Sequence, residues 1–154
     1  MPLEIERKFL VTSDEFRQES TSSEITQVYL SVVEKIAIRV RIDGIQASLT
    51  IKSKISERVN REYEYSIPID EARSLMNLDD HLPVIRKTRF VMEYEGRIWE
   101  VDEYHDNNDG LILAEIELDS ENDIFTIPPW IGDEVTADYR YLNSNLAINP
   151  VSTW

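Results

Sequence analysis

Ile36–Lys54 reads IAIRVRIDGIQASLTIKSK. Two alternating runs flank Asp43-Gly44, a dipeptide whose backbone suits the tight turn of a β-hairpin. Successive side chains on a strand point to opposite faces. Ile36, Ile38, Val40 and Ile42 therefore share one face, and Arg39 and Arg41 share the other. Beyond the turn, Thr50 and Lys52 oppose Leu49 and Ile51. One face of this hairpin is aliphatic, and the only charges between Ile36 and Ile42 are two arginines on the opposite face.

The same alternation extends in both directions. Leu3 to Val11, Ile25 to Val33, Ile36 to Ile42, Ala47 to Lys54, Arg61 to Ile67, Val84 to Tyr94, Arg97 to Tyr104 and Leu111 to Leu118 all read as strands. Glu95-Gly96 marks a second hairpin, and Asn107-Asn108-Asp109-Gly110 a turn. Short helices are predicted from Ser13-Asp14 to Glu19, from an Asp70 N-cap through Glu71 to Leu78, and from Tyr139 to Ala147. Ile127-Pro128-Pro129-Trp130 reads as an irregular connection. Eight strands and few helices in 154 residues predict a mainly β (α+β) fold. Its expected form is one closed eight-stranded antiparallel barrel tunnel with short helices packed outside. No linker or repeat interrupts residues 1–154, so a single domain is expected.

The charged positions decide which face looks inward. Glu4, Glu6 and Lys8 share a face opposite Leu3, Ile5 and Phe9. Glu62 and Glu64 oppose Tyr63, Tyr65 and Ile67. Lys87 and Arg89 alternate with Thr88 and Phe90. Glu100 and Asp102 oppose Trp99 and Val101, and Glu115 and Glu117 oppose Ala114, Ile116 and Leu118. Any one such pair suits a solvated face. As a set, the pairs are of one sign and grouped by strand, whereas solvent faces more often mix signs. The short helices also need an apolar surface to cover. Both points turn the apolar faces outward and the charges inward, giving a lumen of eight carboxylates and six cations. Buried charges require partners or bound ions. Arginine forks match phosphate oxygens, and carboxylates match hard divalent cations such as Mg²⁺ or Mn²⁺. A metal–polyphosphate complex satisfies both sets together.

Composition narrows the alternatives. Thirty acids against sixteen bases give a net charge of -14, which disfavours nucleic acid and an anionic membrane surface as partners. Thirteen acids and no Lys or Arg lie between Ile98 and Tyr139. Without cysteine there is no disulfide, thiolate chemistry or Cys-type metal site, and His81 and His105 are too few for a His-based zinc site. No signal peptide pattern opens the chain and no apolar run approaches ~20 residues, so a cytoplasmic location is expected. Apolar outer faces left uncovered by three short helices suggest pairing into a homodimer.

Glu4-Ile5-Glu6-Arg7-Lys8 resembles the ExExK signature of the CYTH family, the triphosphate tunnel metalloenzymes. Arg39-Val40-Arg41, Thr50-Ile51-Lys52, Glu62-Tyr63-Glu64, Lys87-Thr88-Arg89, Glu100-Val101-Asp102, Glu115-Ile116-Glu117 and Glu134-Val135-Thr136 follow in the family's order. The resemblance is to small single-domain bacterial members, and it implies the same charged eight-stranded tunnel. It implies that Lys8, Arg39, Arg41, Lys52, Lys87 and Arg89 bind triphosphate. It implies that Glu4, Glu6, Glu62, Glu64, Asp102, Glu115 and Glu117 bind or position metal, with Glu100 less firmly placed. Tyr29 matches the family's proton acceptor, with Lys87 or Lys8 as the cation that supports its phenolate, although Val28 stands where the family pattern has Gly. The activity this implies is metal-dependent hydrolysis of a linear triphosphate, most simply inorganic triphosphate to pyrophosphate and phosphate. The alternatives are a class IV-type adenylate cyclase, a nucleoside or thiamine triphosphatase, and a non-enzymatic polyphosphate-binding module.

Overall fold

The structure is a computed structural model and describes residues 2–154. It contains nine strands: β1 (Leu3–Val11), β2 (Thr21–Val33), β3 (Ile36–Asp43), β4 (Gln46–Lys54), β5 (Val59–Ser66), β6 (Val84–Tyr94), β7 (Arg97–Tyr104), β8 (Ile112–Leu118) and β9 (Ile131–Glu134). The helices are α1 (Ile69–Met76) and α2 (Asn143–Ile148), with single 3-10 turns elsewhere. The sheet runs β5-β4-β3-β2-β6-β7-β8-β1, and pairing of β1 with β5 closes these eight antiparallel strands into a barrel. No helix among the described residues is long and apolar enough to cross a membrane.

The ninth strand lies outside the expected set. β1 pairs with β8 along one edge. On its other edge Leu3, Glu4 and Ile5 pair with β5, and Phe9 and Val11 pair with β9. The partner changes between Glu6 and Lys8. Glu6 N donates to Arg58 O at 2.9 Å. Lys8 N donates to the hydroxyl of Thr136 at 3.0 Å, and Val135 N donates back to Lys8 O at 2.8 Å. A short strand therefore follows the Pro128-Pro129 connection to continue the seam that β5 leaves.

The apolar faces do point outward, and two different devices cover them. α1 packs over Val40, Ala47 and Leu49 through Ala72, Leu75 and Met76. Over β1, β7 and β8 the cover is aromatic and mostly irregular. Phe16 from one 3-10 turn, Phe125 and Trp130 pack on Phe9, Trp99 and Phe90, with ring centroids 5.3–6.4 Å apart. Burying each such ring contributes about 1.5–3 kcal/mol. The helix predicted at Ser13-Asp14 shrinks to the turn Glu15–Arg17. The one predicted to start at Asp70 is capped by Pro68, which places Asp70 in its first turn. The C-terminal segment splits into a 3-10 turn at Tyr139–Tyr141 and α2. A third apolar cluster contains Tyr29, Ile85, Tyr104, Leu111, Leu113 and Leu146, so apolar side chains and the C-terminal segment fill part of the barrel.

Candidate active site

One cavity of about 230 Å³ opens along the barrel. Its wall contains Glu4, Glu6, Lys8, Arg39, Arg41, Lys52, Glu62, Glu64, Lys87, Arg89, Glu100, Glu115 and Glu117, together with Tyr29. Thirteen of the fourteen charges assigned to the lumen by strand parity line it, and Asp102 is the exception. Arg7 and Arg86, on the opposite parity, pair outside with Glu134 and Asp106.

Asp102, expected to bind or position metal, does not line the cavity. It is only 2% exposed, and both of its oxygens are engaged. Arg89 donates to them through Nε at 2.8 Å and a terminal nitrogen at 2.9 Å, and Lys87 Nζ lies 2.8 Å away. Burial alone would raise its pKa, but Lys87 and Arg89 hold it well below the usual carboxylate range. Asp102 therefore anchors two cavity cations from beneath. Burial, followed by repulsion from Arg89 and Arg41 and opposed by Asp102, lowers the Lys87 ammonium to about 7.

Several other charges are also paired. Lys52 Nζ bridges Glu4 at 2.9 Å and Glu62 at 3.2 Å. Asn60 also donates to Glu4, at 3.1 Å. Lys8 Nζ donates to Tyr141 O at 2.9 Å and lies 3.3 Å from Glu115. Arg89 adds Glu100 at 2.7 Å.

The unpaired charges fall into two sets. Among the described residues, Arg39 and Arg41 make no ion pair, and Arg39 Nε is buried without a hydrogen-bond partner. Burial and the neighbouring Arg39 and Arg89 lower Arg41 to about 10. Two adjacent guanidinium groups without a carboxylate form a site that an oxyanion would satisfy. Glu6, Glu64 and Glu117 likewise have no ion-pair partner among the described residues. Burial raises Glu6, and Glu115 and Glu4 raise it further against Lys52 and Lys8. Burial and then Glu4, Glu100, Glu6 and Glu62 push Glu117 up to about 6. Glu6 and Glu117 thus sit among carboxylates that repel them, with no ion-pair partner of their own among the described residues.

That donor set fits a divalent metal. It consists of oxygen only, Glu6 and Glu117 disfavour their own charge, and Glu62 Oε2 has no hydrogen bond among the described residues although it lies near Lys52. No three acidic or histidine side chains among the described residues already converge on one point.

Tyr29 is held by Gln27, two residues before it on the same face of β2. Arg41 Nε donates to Gln27 Oε1 at 3.0 Å, and Gln27 Nε2 donates to the Tyr29 oxygen at 3.0 Å. Arginine can only donate, so it fixes which end of the Gln27 amide faces Tyr29. The cations beside Tyr29 are therefore Arg39 and Arg41, in place of the expected supporting role for Lys87 or Lys8. Lys8 and Lys87 instead contact the C-terminal segment, at Tyr141 and Asn143. Val28 sits in regular strand pairing between Val40 and Val84, where no glycine-only backbone is required. Gln27, Asn143 and Tyr104 lay outside the sequence-derived set. Gln27 and Tyr104 were within its reach, because they share the parity of Tyr29 and of Glu100 and Asp102.

Known proteins share this arrangement of chain. The CYTH domain family pattern matches residues 2–147. An inorganic triphosphatase of Acetivibrio thermocellus is 43% identical over 150 residues, covering 97% of this chain and 96% of that protein. An inorganic triphosphatase of Nitrosomonas europaea is 34% identical over 151 residues, covering 95% and 97%. The crystal structure of an inorganic triphosphatase superposes with a TM-score of 0.69 at 34% identity, covering 94% of each chain.

Proposed function

The chain belongs to the CYTH domain family, and on that footing we propose that it hydrolyses inorganic triphosphate to pyrophosphate and phosphate with a divalent metal, in a cytoplasmic setting. The observation that carries this reading is the pair Arg39 and Arg41, side by side in the lumen without an ion-pair partner among the described residues. Relatives that cover nearly the whole chain are inorganic triphosphatases. The cavity of about 230 Å³ is smaller than the ~300–1,000 Å³ of typical organic-ligand pockets. That size favours a bare triphosphate over a nucleotide.

In this reading Arg39 and Arg41 grip the phosphate chain, and Lys52, Lys8 and Arg89 offset the charge that develops as the terminal phosphoryl group transfers. Glu6, Glu64 and Glu117, with Glu4, Glu62 and Glu115 beside them, would hold Mg²⁺ or Mn²⁺. Such an ion supplies charge neutralisation at the phosphates and acidifies a bound water. The Tyr29 oxygen, which accepts from Gln27, would take the proton of the attacking water as a phenolate supported by Arg39 and Arg41. Lys87, lowered to about 7, is a second acceptor when neutral. The water oxygen bonds to the terminal phosphorus as the bridging P–O bond breaks, and pyrophosphate leaves.

Purified Arg41→Ala and Glu4→Ala test the site. Each is expected to lose metal-dependent phosphate release from inorganic triphosphate by at least a hundredfold. Full activity in either variant would refute the assignment.

A further inference from the structure

The Asn143 side chain lines the cavity, and two hydrogen bonds settle its orientation. Lys87 Nζ donates to Asn143 Oδ1 at 3.2 Å, and the Tyr104 hydroxyl donates to the same oxygen at 2.9 Å. A lysine ammonium has no acceptor, so with Lys87 charged the atom facing Nζ is the oxygen. Tyr104 is 1% exposed. Burial, together with Asp102 and Glu115, raises its pKa well above the ordinary phenol value, so it stays a hydroxyl donor. Both lone pairs of Oδ1 are thereby taken. The amide nitrogen has no protein partner among the described residues and is not sealed from solvent. Its two N–H groups are therefore free to donate to a ligand in the cavity that the residue lines.

We infer that Asn143 contacts the substrate: its side-chain N–H donates to a phosphate oxygen of the bound triphosphate, and Lys87 and Tyr104 lock the amide so that its oxygen never faces the anion. The inference rests on the triphosphatase reading above. It gives the C-terminal segment a chemical part in binding, through a neutral donor where every other group assigned to the phosphates is a cation. Tyr104 acts through Asn143 and is a positioning residue.

The test compares Asn143→Asp, Asn143→Ala and Tyr104→Phe for KM and kcat with inorganic triphosphate, alongside melting temperature and calorimetric binding. Asn143→Asp keeps an acceptor for Lys87 and Tyr104 but turns an anionic oxygen toward the substrate. If Asn143 contacts triphosphate, Asn143→Asp is the worst variant. Its KM rises by more than about tenfold, its melting temperature is the best preserved, and Asn143→Ala falls between it and the parent. If Asn143 only braces the fold, the order reverses and Asn143→Asp is the mildest, which overturns the inference. Tyr104→Phe is expected to raise KM in the parent and to add nothing in the Asn143→Ala background. An equal effect in both backgrounds overturns the lock. A parent protein that neither binds nor splits triphosphate overturns the underlying reading, and the Asn143 contact falls with it. A parent that binds triphosphate while Asn143→Asp keeps its KM overturns the contact alone.

Discussion

At the scale of single residues, donor-only neighbours decide the chemistry of amides and phenols in the lumen. Arg41 holds Gln27 so that its NH₂ group reaches Tyr29. Gln27→Glu keeps an acceptor for Arg41 and places a carboxylate beside an unpaired cation, so it should fold. It cannot donate to Tyr29, and kcat for triphosphate is expected to fall by about tenfold or more, while an unchanged kcat would remove Tyr29 from the proton transfer. Asp102 makes a different prediction. Asp102→Asn strips two buried cations of their shared carboxylate, and urea unfolding is expected to show a loss of about 3–5 kcal/mol. The sign of the Lys87 shift sets a third. Its pKa in the folded protein lies near 7, below the ordinary lysine value, so the neutral form grows as pH rises through 7. If neutral Lys87 accepts a proton, the rate rises across that interval, and Lys87→Arg abolishes the rising limb. Strand parity made the lumenal charges legible in the sequence. It did not separate Asp102 from its neighbours, because whether a carboxylate meets a ligand or two cations depends on how side chains of the neighbouring strand β6 pack against it.

At the scale of elements, the seam of the barrel is the point of least redundancy. The Lys8 backbone N–H finds a side chain in place of a strand partner. Thr136 in turn donates to Glu134 at 2.6 Å, and Glu134 is paired with Arg7. Removing the hydroxyl leaves that N–H unsatisfied. Thr136→Val is expected to cost about 1–3 kcal/mol in urea unfolding, with Thr136→Ser close to the parent. Equal loss in both variants would point to packing in place of the hydrogen bond. The hairpins were readable because Asp43-Gly44 and Glu95-Gly96 stand between alternating runs. β9 was not, because it has four residues, follows two prolines and contains Gly132. Glycine fits there by close approach: an added Cβ would lie 2.9 Å from the Thr12 methyl and 3.3 Å from Leu10 O. Such a contact is tertiary and leaves no local pattern. The aromatic cover from Phe16, Phe125 and Trp130 was equally hidden, since irregular segments carry no period.

At the scale of the molecule, the fold is a shell with apolar groups turned outward and charge turned inward. Most of that charge is neutralised internally, and the remainder divides into two bare arginines and a group of repelling carboxylates. Glu6 and Glu117 titrate higher in the folded state than in an unfolded chain, so the stability they contribute falls as pH rises, for Glu117 through about 6. A divalent cation should relieve this only where they are ionised. Mg²⁺ or Mn²⁺ is therefore expected to raise the melting temperature clearly at pH 7.5 and little at pH 5, and equal shifts at both values would place the metal elsewhere. The closed barrel was legible because eight alternating runs share one rule of charge. The filling of part of the lumen by Leu146 was not, because it needs a segment from the far end of the chain. The central claim is that the lumen splits a bare triphosphate with a metal's help. Its most direct measurement is phosphate release from inorganic triphosphate and from ATP, side by side, with Mg²⁺, Mn²⁺ or no metal, assaying cyclic AMP in the ATP tubes. The expected result is fast, metal-dependent release from inorganic triphosphate and slow release from ATP. Cyclic AMP from ATP, or no release from triphosphate under any of these conditions, would contradict it.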